Sequence, residues 1–137
     1  MTIKIGINGF GRIGRNVLRA LYESEKDYDL KIVAINDLGD ASINAHLLKY
    51  DTVHGTYKGP IHEPILWTEE RDIEQLKWHG VDVVLECTGA YNNGLKCLNH
   101  TLNGAKKVVI SAPAADVKRT VVYGVNHQDI TSSENIV

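Results

Sequence analysis

Cysteine, proline, clustered positive charge and long apolar runs are all scarce in this chain of 137 residues, and each scarcity removes a class of protein. The two cysteines, Cys87 and Cys97, stand in neither a CxxC nor a Cys/His spacing. Neither a disulfide framework nor a zinc site is expected, and a reducing environment is. No apolar run approaches the roughly 20 residues of a membrane span. Met1 leads within two residues into a strand-like segment, with no charged and then apolar leader. No membrane partner is expected, and a cytoplasmic location is. The formal net charge is −2, and basic residues such as Lys106-Lys107 do not gather into the stripe that nucleic acid would need. Six scattered histidines lack the i,i+4 or carboxylate arrangement of a metal hydrolase.

What is present is ordinary for a folded domain: 43% hydrophobic and 23% charged residues, enough for one core, and a length too short for two domains. Ile3, Ile5 and Ile7 recur at period two over residues 3–8, whereas Ile13, Val17, Leu18 and Leu21 follow helical spacing. A strand therefore runs straight into a helix. Residues 31–35 form a second strand ending at Asn36-Asp37, and residues 42–49 a second helix. Residues 52–64 hold Gly55, Gly59, Pro60 and Pro64 and read as an irregular crossover. Residues 81–85 and 107–110 are β-branched runs of buried-strand type. Between them Leu95, Leu98 and Leu102 mark the packing face of a helix that Asn92 or Asn93 opens and Gly104 closes. Residues 120–125, after the Pro113 turn, are a last strand candidate. This alternation predicts an α/β fold, a doubly wound and mainly parallel sheet of Rossmann type, filling residues 1–137 as one domain.

Gly9, Gly11 and Gly14 make a G-x-G-x-x-G between the first strand and the first helix. Gly9 permits the tight turn, Gly11 lets a pyrophosphate approach the backbone, Gly14 lets helix and strand pack closely, and the helix N-terminus supplies free N–H groups. Asp37 ends the second strand at the distance where a carboxylate accepts the hydroxyls of an adenosine ribose and repels a 2′-phosphate. Dinucleotide binding follows, with NAD preferred over NADP.

The segment Ile7-Asn8-Gly9-Phe10-Gly11-Arg12-Ile13-Gly14-Arg15 resembles the opening of the phosphorylating glyceraldehyde-3-phosphate dehydrogenases and their relative erythrose-4-phosphate dehydrogenase. Further blocks follow in family order: Val33-Ala34-Ile35-Asn36-Asp37-Leu38, Leu48-Lys49-Tyr50-Asp51-Thr52-Val53-His54-Gly55, Glu86-Cys87-Thr88-Gly89, Ile110-Ser111-Ala112-Pro113 and Tyr123-Gly124-Val125-Asn126. The resemblance implies that Arg12 and Ile13 meet the pyrophosphate through their backbone and that Asp37, after Asn36, holds the ribose. It places Arg71 beside the adenine, Thr88, Gly89 and Ser111 on the nicotinamide side, and Tyr91 near the cofactor. With Gly9, Phe10, Gly11 and Gly14 these complete the expected NAD site.

Two departures from the family stand out. An additional family hairpin is compressed here to a short stretch between Tyr57 and Thr68. The family's catalytic cysteine motif also begins within a few residues of Val137, with its histidine and phosphate sites beyond. The resemblance thus implies an oxidoreductase's cofactor domain, with glyceraldehyde 3-phosphate as the preferred substrate. It also implies a catalytic domain as the missing partner, no catalytic residue within these 137 positions, and a chain expected to be inactive alone. An interface left uncovered around residues 121–125 would favour self-association. The alternatives are the cofactor domain of erythrose-4-phosphate dehydrogenase and a stand-alone, non-catalytic dinucleotide-binding module. Cys87 reads as a structural or lining residue and Cys97 as an inert packing residue. Trp67 and Trp78 flank an acidic crossover and read as packing it against the sheet.

Overall fold

Alternation along the first strand has a direct structural consequence: Ile5 and Ile7 face one layer, while Gly6 leaves room on the other for an indole. In the computed structural model, which describes residues 1–59 and 64–137, the chain forms β1 (Ile3–Asn8), α1 (Arg12–Tyr22), β2 (Leu30–Asn36) and α2 (Ala41–Lys49). A two-residue pair β3 (Tyr50–Asp51) and β4 (Gly55–Thr56) follows, then β5 (Leu66–Thr68), β6 (Val83–Glu86), α3 (Gly94–Leu102) and β7 (Lys107–Ile110). The main sheet runs β5-β2-β1-β6-β7 with every pairing parallel, and β3 and β4 form a separate antiparallel pair. This is the Rossmann-type doubly wound architecture expected from the strand and helix order. The middle of the shortened stretch, residues 60–63 with His62, lies outside the described residues.

One core layer joins Ile5, Ile7, Phe10, Ile32 and Ile35 to Leu18 of α1 and Leu48 of α2. Ile32 and Ile35 share this layer although three residues apart, because the β1–β2 register slips between Ile5 and Gly6 and leaves Val33 as an extra residue. On the opposite face Ala34, Leu76, Trp78, Val81, Val84 and Ala105 pack together. A β-carbon at Gly6 would lie 2.7 Å from the Trp78 ring, so the glycine is what admits the indole. Buried Arg19 of α1 donates to the carbonyls of Leu48, Lys49 and Gly55, tying the end of α2 and the small hairpin to the first helix.

Two expectations are corrected. Leu95, Leu98 and Leu102 are exposed, and α3 buries Gly94, Cys97 and His100 instead. The reason is polar: turning this face inward brings His100 to Glu86, and Gly94 sits against the Asp116 carbonyl, which a β-carbon would approach to 2.9 Å. Residues 120–125 are not a strand: 120–122 are irregular and 123–126 turn, because the Asn126 side chain accepts from Val122 N and donates to the Thr120 carbonyl, taking the place of a neighbouring strand. Residues 135–137 run beside β7 in its stead, with Val108 N donating to Asn135 O and Ile110 N to Val137 O. The described part of the crossover holds no regular element longer than the two-residue β4, and just beyond it Trp67 lies in edge strand β5. Asn93 does cap α3, accepting from Lys96 N, and Gly104 closes it at φ 116°.

A row of register partners ends the strands: Thr68, Asn36, Asn8 and Glu86 on β5, β2, β1 and β6. Thr68 Oγ1 donates to Asn36 Oδ1 (2.8 Å), Asn36 Nδ2 to Asn8 Oδ1 (2.9 Å) and Asn8 Nδ2 to Glu86 Oε2 (2.7 Å). From the helix side Trp78 Nε1 donates to His100 Nδ1 at 2.9 Å, which leaves His100 Nε2 to carry its proton toward Glu86 Oε2 at 2.7 Å. Burial alone would raise the Glu86 pKa, but the bonds from His100, Thr88 and Asn8 outweigh it and hold the carboxyl below its ordinary 4.5. A folded pKa below the unfolded one adds stability that is complete above pH 4.5 and lost as pH falls through the folded value. Acid titration of Tm should therefore show a decline below that pH that is shallower in Glu86→Gln. At pH 7 the variant should be about 1.5–3 kcal/mol less stable. Superimposable acid limbs would mean that Glu86 does not carry this dependence.

Candidate cofactor site

The chain leaves β1 outward to β2 and β5, then returns to place β6 and β7 on the other side. Where that order reverses, connections diverge from neighbouring strand ends and leave a crevice, the usual place for a ligand in such sheets. An open cleft of about 460 Å³ lies there, lined on the β1–β2 side by Asn8, Gly9, Gly11, Asn36, Asp37 and Leu38. Glu70, Arg71, Ile73, Leu76, Cys87, Thr88, Ala90 and Tyr91 form the rest of its wall.

The three motif glycines do different work. Gly9 has φ 91°, and a β-carbon there would lie 2.7 Å from Thr88 N, so the turn and the close approach of the β6 loop both require it. A β-carbon on Gly14 would collide with the Gly9 carbonyl. On Gly11 it would meet no protein atom within 4 Å. The fold therefore needs Gly9 and Gly14, whereas Gly11 keeps clear the space over the start of α1.

That start is also unsatisfied. Asp40 caps α2 by accepting from Ser42 N and Ile43 N, and α3 has Asn93 together with Asp116, which accepts from Gly94 N and Leu95 N. Gly11 caps α1 with no side-chain hydrogen bond, and the first turn holds no acidic residue. Open N–H donors and positive helix potential thus face the cleft, which suits a pyrophosphate.

Asp37 stands beside this cradle. Its Oδ1 accepts from Phe10 N at 2.8 Å, and its Oδ2 accepts from Gly39 N at 2.9 Å and from Asn44 Nδ2 at 3.0 Å. Three of roughly four acceptor positions on the carboxylate are taken, and the open one is on Oδ1. Across the cleft the Tyr91 hydroxyl reaches the Arg71 carbonyl at 3.5 Å. Thr88 is fixed from below, with its N and Oγ1 donating to Glu86 Oε1 at 3.0 and 2.6 Å.

The cleft gathers Gly9, Gly11, Asn36, Asp37, Arg71, Thr88 and Tyr91 from the expected set. Gly14 is buried beneath it, and Phe10 turns its ring to Trp67 at 5.9 Å while its backbone serves Asp37. Arg12 and Ile13 are exposed at the opening of α1, and Gly89 adopts φ 73° between Thr88 and Ala90. Ser111 lines a neighbouring cavity with Val109 and Val122, and its hydroxyl reaches Cys87. The residues that sequence reasoning missed are mostly wall: Ile73 and Leu76 come from a segment with no periodicity, whereas Leu38, next to Asp37, was within reach of the motif.

Neither thiol is prepared for nucleophilic attack. Burial, with the nearby Glu86 charge, pushes Cys87 up despite its bond from Ser111, and burial pushes Cys97 up to about 11. Cys87 lines the cleft, and Cys97 is fully buried against Val108 and Ile110. Among the described residues no three His, Cys, Asp or Glu side chains are grouped to hold a metal ion. No helix there is long and apolar enough to cross a membrane.

Residues 3–94 match the family model of the glyceraldehyde 3-phosphate dehydrogenase NAD binding domain. Similar relatives include the glyceraldehyde-3-phosphate dehydrogenase of Pseudomonas aeruginosa, 50% identical over 149 aligned residues that cover all of this chain and 45% of the relative. The plasmid-borne enzyme of Cupriavidus necator is 50% identical over 150 residues, covering the whole chain and 45% of the relative. That of Zymomonas mobilis is 50% identical over 150 residues, covering the whole chain and 44% of the relative. The chain thus spans just under half the length of these relatives. Their aligned spans exceed its 137 residues, so they carry extra residues within the matched region.

Replacing Gly11 by alanine should leave Tm within about 1 °C, since the new methyl meets no protein atom, yet weaken NAD binding at least ~10-fold by filling the pyrophosphate space. Calorimetry alongside a thermal melt checks both. Unchanged affinity would place the pyrophosphate elsewhere.

Proposed function

The chain belongs to the glyceraldehyde 3-phosphate dehydrogenase NAD-binding-domain family, and from that premise we propose that its cleft holds NAD for a phosphorylating aldehyde dehydrogenase acting on glyceraldehyde 3-phosphate. NAD is the cofactor of this domain family, and the residues present suit it. The observation that carries the reading is the conjunction at one strand-end crevice of an uncapped helix start, a glycine whose missing side chain the fold does not need, and a carboxylate.

In this reading the backbone N–H groups of Arg12 and Ile13 take the pyrophosphate, and Asp37 accepts from the adenosine ribose. Arg71, with Leu38 and Ile73, forms the adenine end. Thr88, Gly89 and Tyr91 border the nicotinamide end, with Ser111 acting through Cys87. When bound, NAD supplies a hydride acceptor. Everything else this chain contributes is binding and orientation: the Glu86-anchored loop fixes the nicotinamide end, and the Asp37 charge disfavours a 2′-phosphate.

The chain by itself binds NAD and does not turn it over. The raised pKa of both cysteines supports this, because a thiol nucleophile needs stabilisation of its thiolate and neither receives it. The exposed Val122, Tyr123 and Val125 support further protein contact at the turn, with a second copy or with a catalytic domain. A cytoplasmic location accords with two cysteines that are both unpaired.

Calorimetry of the purified chain should give saturable NAD binding, weaker binding of NADP, and a loss of at least ~10-fold in NAD affinity for Asp37→Ala, the size expected for a lost hydrogen bond to a charged group. A folded sample that binds neither dinucleotide would overturn the proposal.

A further inference from the structure

The cleft explains what Asp37 faces, but not why its carboxylate stays there. Aspartate at a strand end, half-exposed and followed by a loop, has several side-chain rotamers available. Here it has one held arrangement, and the residue that holds it does not touch the cleft. Asn44, 4% exposed on the first turns of α2, donates from Nδ2 to Asp37 Oδ2 at 3.0 Å. The same nitrogen donates to the Asp40 carbonyl at 3.2 Å, and the Asn44 backbone N–H bonds that carbonyl at 3.0 Å. Asn44 is therefore fixed in the helix twice before it reaches Asp37.

This approach depends on Gly39. A β-carbon there would lie 2.7 Å from Asn44 Nδ2 and 2.9 Å from Asp37 Oδ2, inside both contacts. Gly39 N itself donates to Oδ2 at 2.9 Å. With Gly39 N and Asn44 both on Oδ2, that oxygen's two lone pairs are used, and only Oδ1, already anchored by Phe10 N in the glycine turn, keeps one free. The carboxylate is thus locked with a single acceptor position left for a ligand hydroxyl, and it cannot swing aside to make room for an additional phosphate.

We propose that Asn44 and Gly39 are a positioning pair that fixes the Asp37 carboxylate and so sets the preference of this site for a dinucleotide whose adenosine ribose is unphosphorylated. The inference rests on Asp37 accepting from that ribose. Neither residue contacts the ligand; they act through Asp37. Leucine is close to asparagine in shape and lacks the donor, so Asn44→Leu removes the bond with little change in packing. The freed carboxylate then loses its alignment with the ribose and also its ability to exclude a 2′-phosphate.

Calorimetry with NAD, NADP and 2′-deoxyadenosine-NAD on the unaltered chain, Asp37→Ala, Asn44→Leu, Gly39→Ala and the Asp37→Ala/Asn44→Leu double variant tests this, with thermal melts in parallel. The expected result is about tenfold weaker NAD binding in Asn44→Leu and in Gly39→Ala, with NADP and 2′-deoxyadenosine-NAD affinities unchanged or improved. The double variant should match Asp37→Ala alone, because the Asn44 effect passes through Asp37. A merely structural role would weaken all three dinucleotides equally, or add in full to Asp37→Ala, and either result overturns the proposal. If Asn44→Leu fails to fold, Gly39→Ala carries the same comparison from a position outside any helix or strand. Loss of NAD binding in Asp37→Ala with neither positioning variant affected sinks the positioning role alone. Undiminished NAD binding in Asp37→Ala sinks the ribose reading and this inference with it.

Discussion

The cleft is held open by one buried carboxylate. Glu86 is 1% exposed, and it receives Asn8, Thr88 and His100 at the point where strand β6 ends. A buried charge is tolerated only when hydrogen bonds replace its water, so every partner of Glu86 is under strong pressure to stay in place. That requirement orders the lip of the sheet. Asn8 passes the chain of donors to Asn36 and Thr68, so four neighbouring strands are tied at the same level. On the other side His100 anchors α3 and, through its Nδ1, the indole of Trp78.

The same constraint explains features that otherwise look unrelated. Helix α3 turns its three leucines outward because its inward face must deliver His100. Gly6 in the central strand is small because the Trp78 ring lies on it. Thr88 is fixed from beneath, and that loop can then press against Gly9 closely enough to exclude any side chain there. The glycine turn and the Thr88 loop are therefore parts of one packed unit, resting on the Glu86 network. The Asp37 side is built from Asp37 and the start of α2, and it meets that unit at Asn36, the Phe10 N–H and the Thr68 carbonyl.

The way the helix starts are satisfied divides the molecule into structure and function. At α2 and α3 one or two side chains accept from the free N–H groups of the first turn; at α1 none does. Leaving donors without a protein partner costs stability unless water or a ligand takes them. Among the described α-helices the deficit falls at α1, where the sheet order reverses and Gly11 has left space, which ties the local backbone chemistry to the topology.

Sequence alone determined the strand–helix–strand opening, the parallel doubly wound class, and the glycine turn and strand-end carboxylate that meet at one cleft. Those signals are local: period two, period 3.6, glycine spacing and a carboxylate at a strand end depend on neighbours within a few residues. The family blocks also led to Arg71, Thr88 and Tyr91, which the fold brings to the same cleft. Only the tertiary structure decided which face of α3 is buried, that residues 120–125 turn instead of pairing, that Trp67 lies in an edge strand, and that Asn44 secures Asp37 from outside the site. Three of these turn on a partner that no local pattern marks: His100 on Glu86, Trp67 on Ile35, Asn44 on a carboxylate seven residues back across a loop; the fourth rests on Asn126, whose side chain folds back on Thr120 and Val122. Leucines at helical spacing identify an apolar face but not what it faces, because apolar attraction has no direction, whereas a buried hydrogen bond does. The sequence could show that α3 is amphipathic; the need to neutralise Glu86 decided which way it turned.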